Sequence, residues 1–186
     1  MKKALMVFIP LMAMFKMGDA QNLSFGAELS SNFQLESILP EVGLKLNIPL
    51  SKHSQFETGL FYQIRKNDGA FSINNDIYIF DVNERYLVVP LMYKFSSQII
   101  NLSFGINYNY YVGWGVASVS DENVQINNYN REDTYLFGVQ GALSKSLRLN
   151  NQFSIEPMIK VSVMVYPYSD VLAGFGFALV YNKTAQ

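Results

Sequence analysis

The sequence contains no cysteine, one histidine and one tryptophan. Without cysteine the chain can form neither a disulfide nor a thiolate metal site, and it cannot use a cysteine nucleophile. Charged residues make up only 16% of the chain, whereas aromatic residues make up 15%. After residue 20 there is no run of 18 apolar residues, so a membrane-spanning helix does not account for this composition. So few charged residues beside so many aromatic ones are unusual for a soluble domain, and this composition requires another explanation.

The first 20 residues predict a secretory signal peptide. Lys2 and Lys3 precede an apolar segment that is too short to cross a membrane as a helix, and small residues precede a polar Gln21. We place the cleavage site after Ala20. The remaining residues, 21–186, have the length of one domain and a net charge near −3. They contain no basic patch of the kind that binds nucleic acid.

Apolar and polar residues alternate along most of the remaining chain. From Ile100 to Tyr110 every second residue is apolar, and the residues between them are Asn, Ser or Gly. This period is typical of a strand that crosses a bilayer with one face towards lipid and the other towards a lumen. Eight such stretches predict an all-β, eight-stranded antiparallel up-and-down transmembrane β-barrel. The predicted strands are Asn22–Ser31, Glu41–Pro49, Gln55–Lys66, Glu84–Phe95, Ile99–Tyr111, Thr134–Leu147, Gln152–Val165 and Val171–Tyr181.

The links between the predicted strands alternate in length, as in bacterial outer-membrane barrels, where short turns are periplasmic and longer loops are external. An even number of strands then places both termini in the periplasm. The predicted periplasmic turns are 50–54, 96–98 and 148–151. The predicted external loops are 32–40, 67–83, 113–133 and 166–170.

Two prolines fall inside predicted strands. A closed barrel pairs each strand on both edges, and proline lacks the N–H that one of these ladder bonds needs. We therefore expect a β-bulge at Pro90 and another at Pro157.

Glycines and charges share the predicted lumen face. An eight-stranded barrel is only wide enough for side chains to fill, so small residues are needed where large ones point inwards. A lone charge in such a lumen would be costly, so we expect an ion-pair network. Its predicted members are Glu28, Lys45, Glu57, Arg65, Lys94, Glu156 and Lys160. The predicted lumen glycines are Gly26, Gly43, Gly59, Gly105, Gly138, Gly174 and Gly176, whereas Gly141 faces lipid.

Aromatic residues cluster near the ends of the predicted strands. Such positions form girdles at the two membrane–water interfaces of transmembrane barrels. The predicted interfacial aromatics are Tyr62, Tyr93, Phe95, Tyr108, Tyr110, Trp114 and Tyr181.

One strand carries a motif. Tyr86-Leu87, then Pro90-Leu91 and Lys94 near the strand end, resemble the "YLEIPLLLK"-type strand of the PorT-like outer-membrane β-barrel proteins, a family of small barrels in Gram-negative bacteria. Val88 stands where that family often has an acid. The resemblance extends over about the whole mature chain through its alternating strands, and it implies an integral outer-membrane barrel.

The sequence contains no complete catalytic constellation and predicts no metal site or cofactor. His53, beside Ser51 and Ser54 in a predicted turn, lacks the orienting acid that a catalytic base needs. The leading hypothesis is therefore a non-enzymatic outer-membrane barrel that is structural or contacts an envelope or extracellular partner through loops 67–83 and 113–133. A narrow channel for small solutes and a lipid-modifying enzyme are the alternatives.

Overall fold

The computed structural model describes residues 23–34, 37–73, 76–119, 134–166 and 170–182, with the backbone alone at 69–73, 76–78 and 117–119. The predicted signal peptide, residues 1–20, lies outside these ranges. Within them, no helix is long and apolar enough to cross a membrane. The strands are β1 Ser24–Gln34, β2 Ser37–Pro49, β3 Ser54–Ile73, β4 Asp76–Ser96, β5 Asn101–Val119, β6 Tyr135–Ser144, β7 Leu147–Arg148, β8 Phe153–Tyr166 and β9 Asp170–Asn182.

Eight of these strands close into one antiparallel ring. The order β6-β5-β4-β3-β2-β1-β9-β8 is completed by pairing of β6 with β8. β1 pairs with β9 from Ser24↔Asn182 to Phe33↔Ala173, which brings the two described ends of the chain together. The two-residue strand β7 pairs only with β8. The ring confirms the predicted eight-stranded up-and-down barrel.

The barrel is apolar outside and polar inside, the reverse of a soluble protein. In β1, Phe25 and Leu29 are about half exposed, whereas Glu28 and Ser30, on the opposite face, are buried. The same alternation runs through the other strands, where most large apolar side chains are exposed. A band of this kind is stable when lipid covers it.

The predicted loop 32–40 is wrong, because most of it is strand. β1 and β2 form a hairpin that remains paired to Gln34↔Ser37. Asn32 and Gln34 are buried and polar because they face the lumen, where the Asn32 amide donates to Glu41 at 2.9 Å. Polarity at these positions therefore marks the inner face of a strand and not a loop.

Strand also occupies most of a second predicted loop and the first residues of a third. β3 and β4 remain paired from Ser54↔Phe95 to Ile73↔Asp76, so 67–83 is a long hairpin. β5 continues to Val119 against β4, so 113–119 is strand, and 120–133 lies outside the described residues. We call residues 66–73 of β3, 76–83 of β4 and 113–119 of β5 the sheet extension.

The remaining links differ from the prediction by one to three residues. The described turns cover 50–53, 97–100 and 149–152, and the two-residue β7 precedes the last of them. Strand six was predicted to run unbroken to Leu147, but it ends at Ser144 and resumes as β7. Of the predicted loop 166–170, Tyr166 and Asp170 are strand residues, and 167–169 lie outside the described ranges.

The predicted bulges at the two prolines are wrong. The β3–β4 register passes from Thr58↔Leu91 to Phe61↔Val88 without a shift, and Pro90 lies in the interruption between these pairs. The Thr58 hydroxyl donates to the Pro90 carbonyl at 2.8 Å.

Pro157 lies in a similar interruption, between Ser144↔Met158 of β6–β8 and Leu147↔Ile155 of β7–β8. The Lys145 N–H donates to the Pro157 carbonyl at 3.1 Å. Each proline thus occupies a gap in one ladder, where its missing N–H removes no regular bond.

Candidate functional site

The half of the lumen nearer the turns contains a network of buried ion pairs. Lys45 lies at its centre, 3.0 Å from Glu57, 3.4 Å from Glu156 and 3.9 Å from Glu28. The Lys45 side chain is 3% exposed, so these contacts replace almost all of its hydration. A buried cation without such partners would be strongly destabilising.

Two more lysines extend the network in opposite directions. Lys94 contacts Glu156 and lies 3.5 Å from Glu57. Lys160 lies 3.1 Å from Glu28 and contacts Glu41. The structure therefore joins six of the seven predicted charges and a seventh that was not predicted into one chain, in the order Lys94, Glu57 and Glu156, Lys45, Glu28, Lys160 and Glu41.

Polar side chains donate further hydrogen bonds to the carboxylates of Glu156 and Glu41. Asn101 at 3.1 Å and Ser144 at 2.7 Å donate to Glu156. The side-chain amides of Gln63 and Asn32 donate to Glu41. Sequence reasoning missed Glu41 because it was taken as the first residue after a loop. Its even spacing from Gly43 and Lys45 on the lumen face was the available signal.

The remaining predicted charge, Arg65, lies in a second cluster further from the turns. Its guanidinium donates to Gln63 at 2.8 Å and to Asn109 at 3.0 Å, and it lies 5.0 Å from the centre of the Tyr86 ring. Its cross-strand partner is Glu84, which accepts the Tyr86 hydroxyl at 2.7 Å. Glu84 was also absent from the predicted lumen charges, and in the structure it is only 1% exposed.

Side chains fill the lumen between these clusters. Phe61 packs with Tyr86, Val88, Leu136 and Met164, and its ring lies over its cross-strand partner Gly43 and over Gly59 of its own strand. A Cβ atom at Gly43 would lie 2.6 Å from Cγ of Phe61, and one at Gly59 would lie 2.7 Å from its Cε2. Glycine at these positions makes room for the large Phe61 side chain inside the lumen, as the sequence predicted.

The predicted aromatics lie at two levels of the outer face. Near the turns, Tyr93, Phe95 and Tyr181 are 38–46% exposed, and Tyr181 packs with Phe153 at 5.3 Å between ring centres. Further along the strands, Tyr62 is half-buried, and the Tyr108 and Tyr110 rings each lie 5.6 Å from Tyr135. These six aromatics therefore lie on the outer face near both ends of the barrel strands, and their role as interfacial girdles stays a prediction.

Trp114 lies elsewhere. The β4–β5 register shifts between Tyr86↔Tyr111 and Arg85↔Gly113, which leaves Val112 as an extra residue and turns Trp114 to the same face as its partner Glu84. Gly113, in this bulge, has a φ of 155°, which L side chains rarely adopt. Trp114 is therefore on the lumen face of the sheet extension, and the register does not place it in a lipid-facing girdle.

The outer face of the sheet extension becomes polar. Lys66 and Asp81 form an ion pair at 2.8 Å, and Asn83 and Arg85 occupy the next outward positions of β4. Beyond this polar belt, Ile79 is 59% exposed. The lipid-covered part of the barrel therefore ends near Ile64 and Leu87.

His53 lies exposed in the first turn, with its ring centre 6.5 Å from that of Phe95. The nearby Ser51 and Ser54 hydroxyls share a hydrogen bond of 2.7 Å, and Ser51 also accepts the His53 backbone N–H. Within the described ranges, no group of three or more His, Asp or Glu side chains could hold a metal ion.

Comparison with known proteins identifies the fold. No protein-family model matches the chain, and no curated protein matches its sequence. A major outer membrane protein from Thermus thermophilus is similar at a TM-score of 0.52 and 8% identity, over 86% of this chain and 98% of that one. Neisserial surface protein A is similar at a TM-score of 0.50 and 12% identity, over 87% and 96%. At such low identity the likeness shows a shared fold, the small transmembrane β-barrel of outer-membrane proteins.

Proposed function

We propose that this protein is an integral, non-enzymatic outer-membrane β-barrel that contacts an envelope or extracellular partner through its sheet extension. The continuous apolar outer face supports the membrane location, because exposed side chains such as Leu44 (68%) and Phe104 (55%) need lipid around them. The eight-stranded ring and its likeness to outer-membrane proteins support the same location.

The orientation follows from the two ends of the barrel. One end consists of short turns and the described chain ends, where the Asn182 N–H donates to the Gln152 carbonyl at 2.7 Å. In bacterial outer-membrane barrels that end faces the periplasm, so the sheet extension faces outwards. The strand from Tyr86 to Lys94 supports a place among the PorT-like barrels as a finer assignment.

This location predicts a specific behaviour in cell fractions. We expect the protein in the outer-membrane fraction and expect its unboiled band to migrate faster on gel electrophoresis than its boiled band, because a closed, hydrogen-bonded ring stays compact until heated. Recovery as a soluble periplasmic protein without a heat-dependent shift would contradict both the location and the covering of the apolar face by lipid.

The sheet extension is the observation on which the partner proposal rests. A tilted transmembrane strand needs about 9–11 residues, whereas β4 has 21. Its outer half therefore stands above the bilayer, and the polar belt of Lys66, Asp81 and Arg85 separates it from the lipid face. Above the belt, Ile79 exposes an apolar side chain where no lipid covers it. Extended sheet with an exposed apolar position is a surface suited to contacting another protein.

A photo-crosslinking amino acid at position 79 tests this surface in intact cells. We expect a discrete protein adduct at position 79 and none at position 44, because Leu44 has comparable exposure but faces lipid.

In a second variant, residues 67–82 are replaced by Asn-Gly, which closes the Lys66↔Asn83 pair with a two-residue turn. This variant should keep the heat-dependent shift. Equal labelling at positions 79 and 44, or no adduct at 79 in a folded barrel, would exclude a partner at this surface.

A further inference from the structure

The exposed charged side chains in the short turns at one end of the barrel are all positive. We call residues 50–53, 97–100 and 145–152 the turn rim. Its charged side chains are Lys52, Lys145 and Arg148, which are all exposed, and these three segments contain no acid. The described acids lie in the lumen or towards the other end of the barrel, as Asp68 and Asp81 do. The exposed charges of the turn rim itself are therefore all positive.

Exposed apolar side chains lie among these cations. Ile99 is 77% exposed, Leu149 60% and Leu50 47%. All three turns expose apolar side chains, and two of them also carry basic residues, Lys52 in the first and Lys145 and Arg148 in the third. Such a mixture is typical of a surface at the boundary between headgroups and acyl chains. The rim is also continuous with the lipid face, since Phe95 and Tyr181 lie at the adjoining strand ends.

The third turn forms a pocket suited to an anion. Arg148, Asn150, Asn151 and Gln152 line an open pocket of about 580 Å³. The Asn150 side-chain oxygen accepts the backbone N–H groups of Gln152 and Phe153, both at 2.8 Å. That oxygen is thereby engaged, which leaves the Asn150 side-chain NH₂ as a donor in the pocket that Arg148 also lines. A guanidinium with amide donors is suited to phosphate oxygens.

We propose that the turn rim binds the phosphodiester headgroup of anionic phospholipid in the leaflet that it enters, with Arg148 and Lys145 as the principal contacts. The inference rests on the proposed membrane location. Phospholipid is favoured over a soluble anion because Leu147 and Leu149, the chain neighbours of Arg148, are exposed, and a lipid tail would cover them whereas a free ion would not. A basic residue near an anionic lipid surface strengthens attraction by about fivefold.

Quenching of a tryptophan by brominated lipid measures this preference. The protein carries Trp114→Phe and Leu149→Trp, so that its single tryptophan lies beside Arg148. It is reconstituted with phosphatidylcholine that contains either brominated phosphatidylglycerol or brominated phosphatidylcholine. We expect the anionic lipid to bind about 5- to 25-fold more strongly at low salt, because two cations contribute, and we expect Lys145→Gln with Arg148→Gln to reduce that ratio to about one. Arg85→Gln, an exposed cation at the other end, should leave the ratio unchanged.

Each other outcome has a defined meaning. Equal quenching by the two lipids, or a preference that survives the double substitution, would overturn the headgroup site while leaving the barrel in place. Saturable binding of inorganic phosphate to the detergent-solubilised protein, together with no preference for the anionic lipid in the bilayer, would show that the pocket takes the free ion, which also overturns the proposal. A tryptophan that neither lipid quenches would mean that the chain is not inserted, which would contradict the proposed function itself.

Discussion

Replacement of Lys45 by methionine is expected to lower the free energy of unfolding by about 3–5 kcal/mol, because it leaves the four carboxylates of the lumen network to share two lysines. Lys45 lies within 3.9 Å of Glu28, Glu57 and Glu156, and methionine fills a similar volume without the charge. The measurement is the urea dependence of the fast-migrating band in lipid or detergent.

Lys52→Met is the matched control for this charge. Lys52 is exposed in a turn, so its loss should change the free energy of unfolding by no more than about 0.5 kcal/mol. A double variant that also carries Glu57→Gln should recover part of the stability, because a carboxylate is removed together with its cation. Equal effects of Lys45→Met and Lys52→Met would show that the lumen ion pairs do not hold the barrel together.

Gly43→Ala is expected to destabilise the barrel by about 2 kcal/mol or more, because the added methyl group overfills the lumen. Its Cβ would lie 2.6 Å from both Cγ of Phe61 and the Leu60 carbonyl oxygen, so ring and backbone would both have to move. The same urea titration gives the size of the effect.

Gly141 supplies the matching position on the outer face. A Cβ at Gly141 would meet nothing nearer than the Ser103 carbonyl oxygen at 3.9 Å, so Gly141→Ala should be neutral or slightly stabilising. If both substitutions were neutral, the interior would have to be looser than the contacts of Phe61 indicate.

The alternation of apolar and polar residues predicts well which side chains face the lumen and which face lipid, because the side chains of a strand point in only two directions. Once Lys45 and Glu28 were assigned to the lumen, burial required them to have partners, and the structure places them 3.9 Å apart. The closed ring was predictable for the same reason, since eight alternating stretches have no other way to cover their apolar face and pair all their edges.

Strand ends were less predictable, because a polar residue of the lumen face looks like a loop residue in sequence. Asn32 and Gln34 were assigned to a loop for this reason, and Glu41 was missed as a consequence. The facing of Trp114 depends on one extra residue at Val112, and a bulge of this kind shifts the alternation without leaving a sequence signal. The gaps in strand pairing at Pro90 and Pro157 depend on how the neighbouring strands pair beside each proline. That pairing is a property of the whole ring.

The buried ion pairs also impose an order on how the barrel can form. Lys45 and Glu156 are 111 residues apart in the chain, and Lys160 and Glu28 are 132 residues apart. Glu28, Lys45 and Glu57 are synthesised long before the strand that carries Glu156 and Lys160, so a partly inserted sheet of early strands would hold carboxylates in a low-dielectric setting without those partners. Such an intermediate is penalised until β8 arrives. We therefore expect the network to reach its full stability only when β8 pairs with its neighbours, which favours insertion of a nearly closed ring over insertion strand by strand.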